Sequence, residues 1–147
     1  SDVSILQNPW DSIEGFQEKI DIINKECKQQ GRDCSSMGFS LETQILIRET
    51  DEEIDKIFEG FEELESLNNS YDQDILDQLK ATNPALGSYK SKKNFEEEFL
   101  IGTPEKIIEK INLFIDKGVS HFMLWFMDYP DQKGIKLFND KVISNYS

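Results

Sequence analysis

The sequence predicts an α/β fold in which parallel strands are covered by outer helices. One observation is a complete helix-to-strand unit in residues 99–126, where Thr103 and Pro104 mark the start of a helix and Gly118 its end. The other is the run 119–126, which has almost no polar residues, as expected of a parallel strand buried on both faces. A barrel or a layered α/β core follows.

Residues 3–6 are expected to be the last part of a strand, and a helix is expected after them. Ser12 can cap that helix and Gly31 can end it. Its apolar residues recur at helical spacing: Ile13, Phe16, Ile20, Ile23 and Cys27. A loop between a strand and its helix lies at the catalytic face of a β/α barrel, so Asn8 and Trp10 are candidates for lining a pocket. Alternatively, Trp10 packs against the helix start and Asn8 belongs to a turn.

Residues 39–47 predict the next strand, and the alternation of side chains assigns its two faces. One face carries Phe39, Leu41, Thr43, Ile45 and Ile47, and the other carries Ser40, Glu42, Gln44 and Leu46. The first face should meet the helices. A carboxylate and an amide on the second face are costly unless they are paired or border a ligand cavity, so Glu42 and Gln44 are polar site candidates. Alternatively, this face is exposed or the strand is bulged.

A second helix is expected after this strand, because Thr50 and Glu53 form a capping box. Its apolar stripe comprises Ile54, Ile57, Phe58, Phe61 and Leu64. Just before it, Arg48 can hold an anionic group at the barrel mouth. The alternative is a salt bridge to Glu49 or to a neighbouring helix.

Residues 68–98 predict a less regular insertion, with a turn, a short helix at 72–79 and a loop at 83–93. It can serve as a lid, as a dimer contact or simply as a solvated loop. After the last strand, a helix is expected from Asp131. Asp128 and Tyr129 should lie on the catalytic side within reach of a ligand. His121 is near the start of its strand, where a structural role is expected.

Composition limits the possible partners. The net charge of −13 argues against nucleic acid or an anionic membrane, which would repel the chain. No apolar run approaches the roughly 20 residues of a membrane span, and a cytoplasmic protein is expected. Cys27 and Cys34 have no histidine or second cysteine pair nearby, so no metal site is predicted. Reduced intracellular thiols are expected rather than a disulfide.

Three stretches in order and spacing resemble the luciferase-like flavin- or deazaflavin-dependent oxidoreductases, which are TIM barrels. They are SDVSILQNPWD, GRDCSSMGFSLETQILIRETDEE and IGTPEKIIEKINLFIDKGVSHFMLWF. The resemblance covers most of the chain except about residues 67–98. In related sulfonate monooxygenases, a basic pair used at the active site occupies the positions of Glu42 and Gln44. The sulfonate substrate therefore does not carry over.

The resemblance implies a single partial domain, the C-terminal part of a (β/α)8 TIM barrel, because 147 residues are fewer than the roughly 250 of a complete barrel. It also implies reduced FMN or coenzyme F420 as cofactor, for hydride transfer to, or monooxygenation of, a small organic substrate. The expected partners are a missing N-terminal portion of the barrel and further copies in a homo-oligomer. No catalytic residue is identified. The alternative is a non-catalytic half-barrel scaffold or interaction protein.

The number of strands leads to one further expectation. Only three can be counted in the sequence, whereas closure of such a barrel takes eight. The chain alone should therefore bind flavin weakly or not at all. It should also expose apolar surface that drives self-association.

Overall fold

A computed structural model of the chain describes residues 5–9, 12–35, 37–68 and 91–146. Four strands form one sheet: β1 (Ile5–Pro9), β2 (Gly38–Ile47), β3 (Leu100–Gly102) and β4 (Val119–Phe126). The other three all pair with β2, and every pairing is parallel. The parallel pairing of residues 39–47 and 120–126 is thus confirmed. The count of three strands is wrong, because β3 has only three residues and is too short to show a period.

Five α-helices accompany the described strands: α1 (Ile13–Gln29), α2 (Asp51–Asn68), α3 (Lys92–Glu98), α4 (Pro104–Asp116) and α5 (Lys133–Leu137). A π-helical turn (Phe138–Val142) and a 3-10 turn (Ile143–Asn145) follow α5. The expected helix starts near residues 12, 51, 104 and 131 are confirmed. Residues 69–90 of the expected insertion lie outside the described residues, and the expected loop at Lys92 and Lys93 is instead the start of α3.

The helix caps agree with the sequence in two cases and differ in one. Ser12 Oγ accepts a hydrogen bond from the Gly15 N–H at 3.1 Å, and Thr50 Oγ1 accepts one from the Glu53 N–H at 3.3 Å. Thr103 stands at the N-cap of α4, but its side chain makes no capping hydrogen bond. The start of α4 therefore relies on Pro104, whose ring fixes a helical φ.

The main core lies between one face of the sheet and two long helices. On the sheet side it contains Leu41, Ile45, Ile47, Leu100 and Val119, and on the helix side Phe16, Ile20, Ile107, Ile111 and Phe114. Val142 of the π-helical turn also belongs to it. The side chains of Leu41, Thr43, Ile45 and Ile47 are all buried. The predicted helix-facing side of β2 is therefore confirmed.

A second core covers only the carboxyl end of the opposite sheet face. There, Leu46 and Ile101 pack against Ile54 and Phe58 of α2. Because Leu46 alternates with Ile45 and Ile47 along β2, α2 lies across the sheet from α1 and α4. Among the described residues, no other buried hydrophobic side chain lies on this face.

Burial of β4 on both faces was predicted, and this prediction is wrong. Along β4, Phe122, Leu124 and Phe126 are half-buried, whereas the alternating residues His121, Met123 and Trp125 are exposed. Met123 is 40% exposed and Trp125 58% exposed. The physical reason is that α2 covers the second face only near Leu46 and Ile101, beyond the part that β4 pairs with.

The prediction of reduced thiols is also wrong, because Cys27 and Cys34 form a disulfide. Cys27 lies near the end of α1 and Cys34 in the loop that follows. Gly31, at φ 62°, lets the chain reverse between them, and the two Cα atoms are 6.2 Å apart. Among the described residues, no group of side chains could hold a metal ion. No described helix is both long and apolar enough to cross a membrane.

Candidate functional site

The uncovered part of the second sheet face is the candidate site, and we call it the open sheet face. It comprises Ser40, Glu42 and Gln44 of β2 and His121, Met123 and Trp125 of β4. In the parallel register, Ser40 lies opposite His121, Glu42 opposite Met123 and Gln44 opposite Trp125. The expectation that Glu42 and Gln44 share the face opposite the main core is confirmed, and both are half-buried.

Glu42 has the hydrogen-bonding partner that its position requires. The indole N–H of Trp125 donates to Glu42 Oε1 at 2.9 Å, across the diagonal of the β2–β4 pair. An indole has only this one donor, so the bond restricts the orientation of the ring. Trp125 is nevertheless 58% exposed, which makes it a fixed aromatic surface facing outward.

A second polar pair lies nearer the amino end of the open sheet face. Ser40 Oγ and His121 Nδ1 are 2.9 Å apart, within hydrogen-bonding distance. Ser40 is buried and His121 is exposed. The amino end of the strands is the stability side of a barrel, where a structural histidine was expected.

Arg48 and Asp128 were predicted separately as pocket residues, and the structure brings them together. Arg48 Nη1 lies 2.8 Å from Asp128 Oδ2, and the side chains are only 11% and 7% exposed. The same nitrogen donates to the Ile47 carbonyl at 2.8 Å. Glu49 or a helix was expected as the usual partner, whereas Asp128 follows β4. This charge pair joins the ends of β2 and β4.

Gly134 completes this arrangement, and no local pattern in the sequence had singled it out. Its N–H donates to Asp128 Oδ2 at 3.0 Å. A Cβ atom at Gly134 would lie 2.7 Å from that oxygen, so a larger residue does not fit without movement. Asp128 Oδ1 is buried and has no hydrogen-bond partner among the described residues. The carboxylate is therefore held tightly on one side only.

The two remaining predicted site residues lie near the amino-terminal strand. Asn8 is in β1 and pairs in register with Leu41, at the level of the middle of β2. Trp10 lies outside the described residues.

Sequence reasoning missed Trp125 as a site residue, although the period of two along β4 could have found it. That period places Trp125 on the same face as His121 and Met123. The pairing of β4 with β2 then brings this face beside Glu42 and Gln44, which were already candidates. The signal was overlooked because the whole of β4 was expected to be buried.

On the side of the main core, a cavity of about 520 Å³ is lined by parts of α1, α3 and α4. Lys110 lines it and donates to the carbonyl oxygens of Glu96 and Phe99, at the end of α3. Burial lowers the pKa of the Lys110 amine, while the nearby Glu96 and Glu97 raise it. Because its hydrogen bonds end a helix, Lys110 has a structural role here.

Two solved structures share the fold of this chain. One is described as an F420-dependent secondary alcohol dehydrogenase in complex with an F420-acetone adduct. It has a TM-score of 0.63 and 19% identity over 96% of this chain and 42% of its own. The other, a coenzyme F420-dependent tetrahydromethanopterin reductase from Methanopyrus kandleri, has a TM-score of 0.63 and 15% identity over 98% of this chain and 46% of its own. This chain therefore has the fold of part of each of these two structures.

These matches confirm the predicted fold class, an α/β fold of parallel strands and outer helices that forms part of a β/α barrel. No family model and no curated protein sequence matches the chain. The chain spans less than half the length of both solved structures. At such low identity the likeness concerns the fold, and the chemistry must be argued from the site.

Proposed function

We propose that this chain is the C-terminal part of a luciferase-like oxidoreductase that uses F420 to transfer hydride to or from a small organic substrate. The observation that carries the proposal is the fold shared with two F420-dependent oxidoreductases. Both are described by their use of F420, which favours the deazaflavin over FMN and hydride transfer over monooxygenation.

The open sheet face fits the ring of such a cofactor. Trp125 presents an exposed flat ring and Met123 an exposed flexible apolar side chain. Gln44 lies opposite Trp125 in the strand register. These three residues would contact the ring, while Glu42 fixes the indole. When bound, F420 supplies the ring carbon that accepts or gives up hydride. The share of the protein is to orient the ring and exclude water.

The anionic tail of F420 requires a different part of the protein. The chain carries a net charge of −13, and Glu42 adds a carboxylate to the open sheet face. The nearby Arg48 is already paired with Asp128. We therefore propose that cationic groups outside the described residues hold the tail, and that an N-terminal portion completing the barrel supplies them. Assembly into a homo-oligomer remains a prediction.

The second candidate function is a non-catalytic scaffold, and one observation favours it. Beside β4, on the side of the main core, an apolar groove of about 420 Å³ is lined by residues such as Phe122, Leu124, Phe138 and Ile143. Together with the exposed Met123, it gives β4 apolar surface on both faces. Such surface favours association with another protein.

An assay of the full-length product of the gene that encodes this chain separates the two functions. We expect F420 fluorescence to titrate with the protein, and bound F420 to be reduced when a secondary alcohol such as propan-2-ol is added. FMN should compete poorly. A product that binds neither cofactor but self-associates would support the scaffold, and one that binds only FMN would contradict the proposed cofactor.

Localisation stays a separate question. A cytoplasmic enzyme was expected from the sequence, but disulfides such as Cys27–Cys34 persist mainly in oxidising compartments. Free-thiol labelling of the protein taken directly from its source would decide between the cytoplasm and an oxidising compartment. Labelling of both cysteines without prior reduction supports the cytoplasm.

A further inference from the structure

We propose that Glu42 is a positioning residue, which holds the indole of Trp125 as a stacking platform for the planar tricyclic ring of the cofactor. The inference deepens the proposed function and rests on it for the identity of the ring as a deazaflavin. Neither residue was given this role by the sequence. The claim is limited to ring binding and assigns no proton or hydride transfer to Glu42.

Trp125 combines exposure with fixation. Trp125 is the next-to-last residue of β4 and is 58% exposed, so its indole is accessible from the open sheet face. Its N–H is nevertheless bound to Glu42 Oε1 at 2.9 Å. A ring that is ordered before binding loses little conformational entropy when a ligand stacks on it, and this preorganisation increases affinity.

The surface around the indole is suited to a flat ligand. Met123, two residues earlier on β4, is 40% exposed and can adapt its shape to such a ligand. Gln44 lies opposite Trp125 in the register and offers both a donor and an acceptor to the edge of a heterocycle. An exposed aromatic with a soft apolar neighbour and an amide suits a planar, polar-edged ring better than an aliphatic ligand.

The charge of Glu42 makes the inference easy to test. F420 carries negative charge in its tail, so the carboxylate of Glu42 by itself repels it. If Glu42 acted through its charge alone, removing that charge would tighten binding. If it acts by orienting Trp125, replacing it with an apolar side chain loosens binding, whereas glutamine, which retains an acceptor oxygen, does not.

The experiment uses titrations of the purified full-length product of the gene that encodes this chain, followed by the fluorescence of the ligand, with F420 and riboflavin as the two probes. For Glu42→Leu we expect the dissociation constant to rise about tenfold, as for the loss of one hydrogen bond to a charged group. For Glu42→Gln it should stay within about threefold of the wild type or fall. Glu105→Leu on α4 is the matched control, because it removes the same charge from an exposed helix position.

A second readout needs no ligand and protects the test against a poorly folded variant. The indole N–H resonance of Trp125, assigned by its loss in Trp125→Phe, should move toward the position of a free indole in Glu42→Leu and move less in Glu42→Gln. Trp125→Phe keeps an aromatic ring but lacks the N–H, so it should weaken ring binding as Glu42→Leu does. Adding Glu42→Leu to Trp125→Phe should weaken binding no further.

Each outcome decides the matter. Binding of either probe that is weakened in Glu42→Leu and retained in Glu42→Gln supports the inference. If only riboflavin behaves this way and F420 does not bind, the inference stands and the proposed function fails. Binding of F420 that is unaffected by Glu42→Leu, or weakened equally by glutamine or by the Glu105 control, overturns the inference but leaves the function. Failure of both probes to bind the wild type overturns both.

Discussion

Removing Arg48 tests the structural account most severely, because its effect depends on burial. In Arg48→Met, the Asp128 carboxylate, only 7% exposed, would be left without the cation that lies 2.8 Å away. Breaking a buried pair by removing one partner typically costs about 3–5 kcal/mol. The chain supplies a matched control. Lys106 and Asp51 are 2.7 Å apart but 54% and 50% exposed, and Lys106→Met should therefore cost less than about 1 kcal/mol.

The free energy of unfolding would be measured by urea titration of the wild type and both variants. Adding Asp128→Ala to Arg48→Met should cost much less than the sum of the two single changes, since the pair acts as one unit. Similar small losses in Arg48→Met and Lys106→Met would show that the Arg48–Asp128 pair is solvated. The claim that this charge pair joins the ends of β2 and β4 would then be wrong.

Three further predictions concern single features of the fold. Gly134→Ala places a Cβ 2.7 Å from Asp128 Oδ2 and should destabilise by about 1–3 kcal/mol by thermal unfolding, although alanine favours helices; a stabilised variant would show that Asp128 moves freely. The double variant Cys27→Ser/Cys34→Ser opens a loop with a sequence separation of 7, and its free energy of unfolding should fall by about 2–3 kcal/mol. Reductant should lower the stability of the wild type by a similar amount, and a wild type that is equally stable with and without reductant would contradict this. Burial lowers the pKa of Lys110 in the folded chain below its ordinary value of 10.5. Between the two pKa values the unfolded chain therefore binds more protons than the folded chain, so the contribution of Lys110 to stability rises as the pH rises through that window. Lys110→Met should flatten this rise in urea titrations at several pH values, and an unchanged slope would contradict the assignment.

Local signals in the sequence were sufficient for the helix starts and for the faces of β2. The helix starts depend on Ser12, Thr50 and Pro104, which affect only the backbone a few residues away. Their effect can therefore be judged without knowledge of the fold. The period of two along β2 placed Glu42 and Gln44 on the correct face. Thr103 shows the limit, because its type suits an N-cap but its hydroxyl makes no capping hydrogen bond.

Features that depend on distant parts of the chain could not be predicted in this way. Arg48 and Asp128 are 80 residues apart, and nothing near either one identifies the other. The exposure of Trp125 depends on where α2 packs, and the apolar stripe of α2 says nothing about which sheet face it covers. Both of these are decided by tertiary packing. The disulfide differs, because it spans only 7 residues and depends on how the turn at Gly31 brings Cys34 back to Cys27.

The central claim is that the open sheet face binds a deazaflavin, and chemical-shift mapping of the backbone amides tests it directly. Because the chain alone is expected to bind weakly, F420 would be added in excess to the isotopically labelled protein. The account predicts saturable shifts concentrated at residues 40–44 and 121–125, together with the Trp125 indole N–H. Saturable shifts confined to other elements, such as α1 or the cavity beside Lys110, would contradict it.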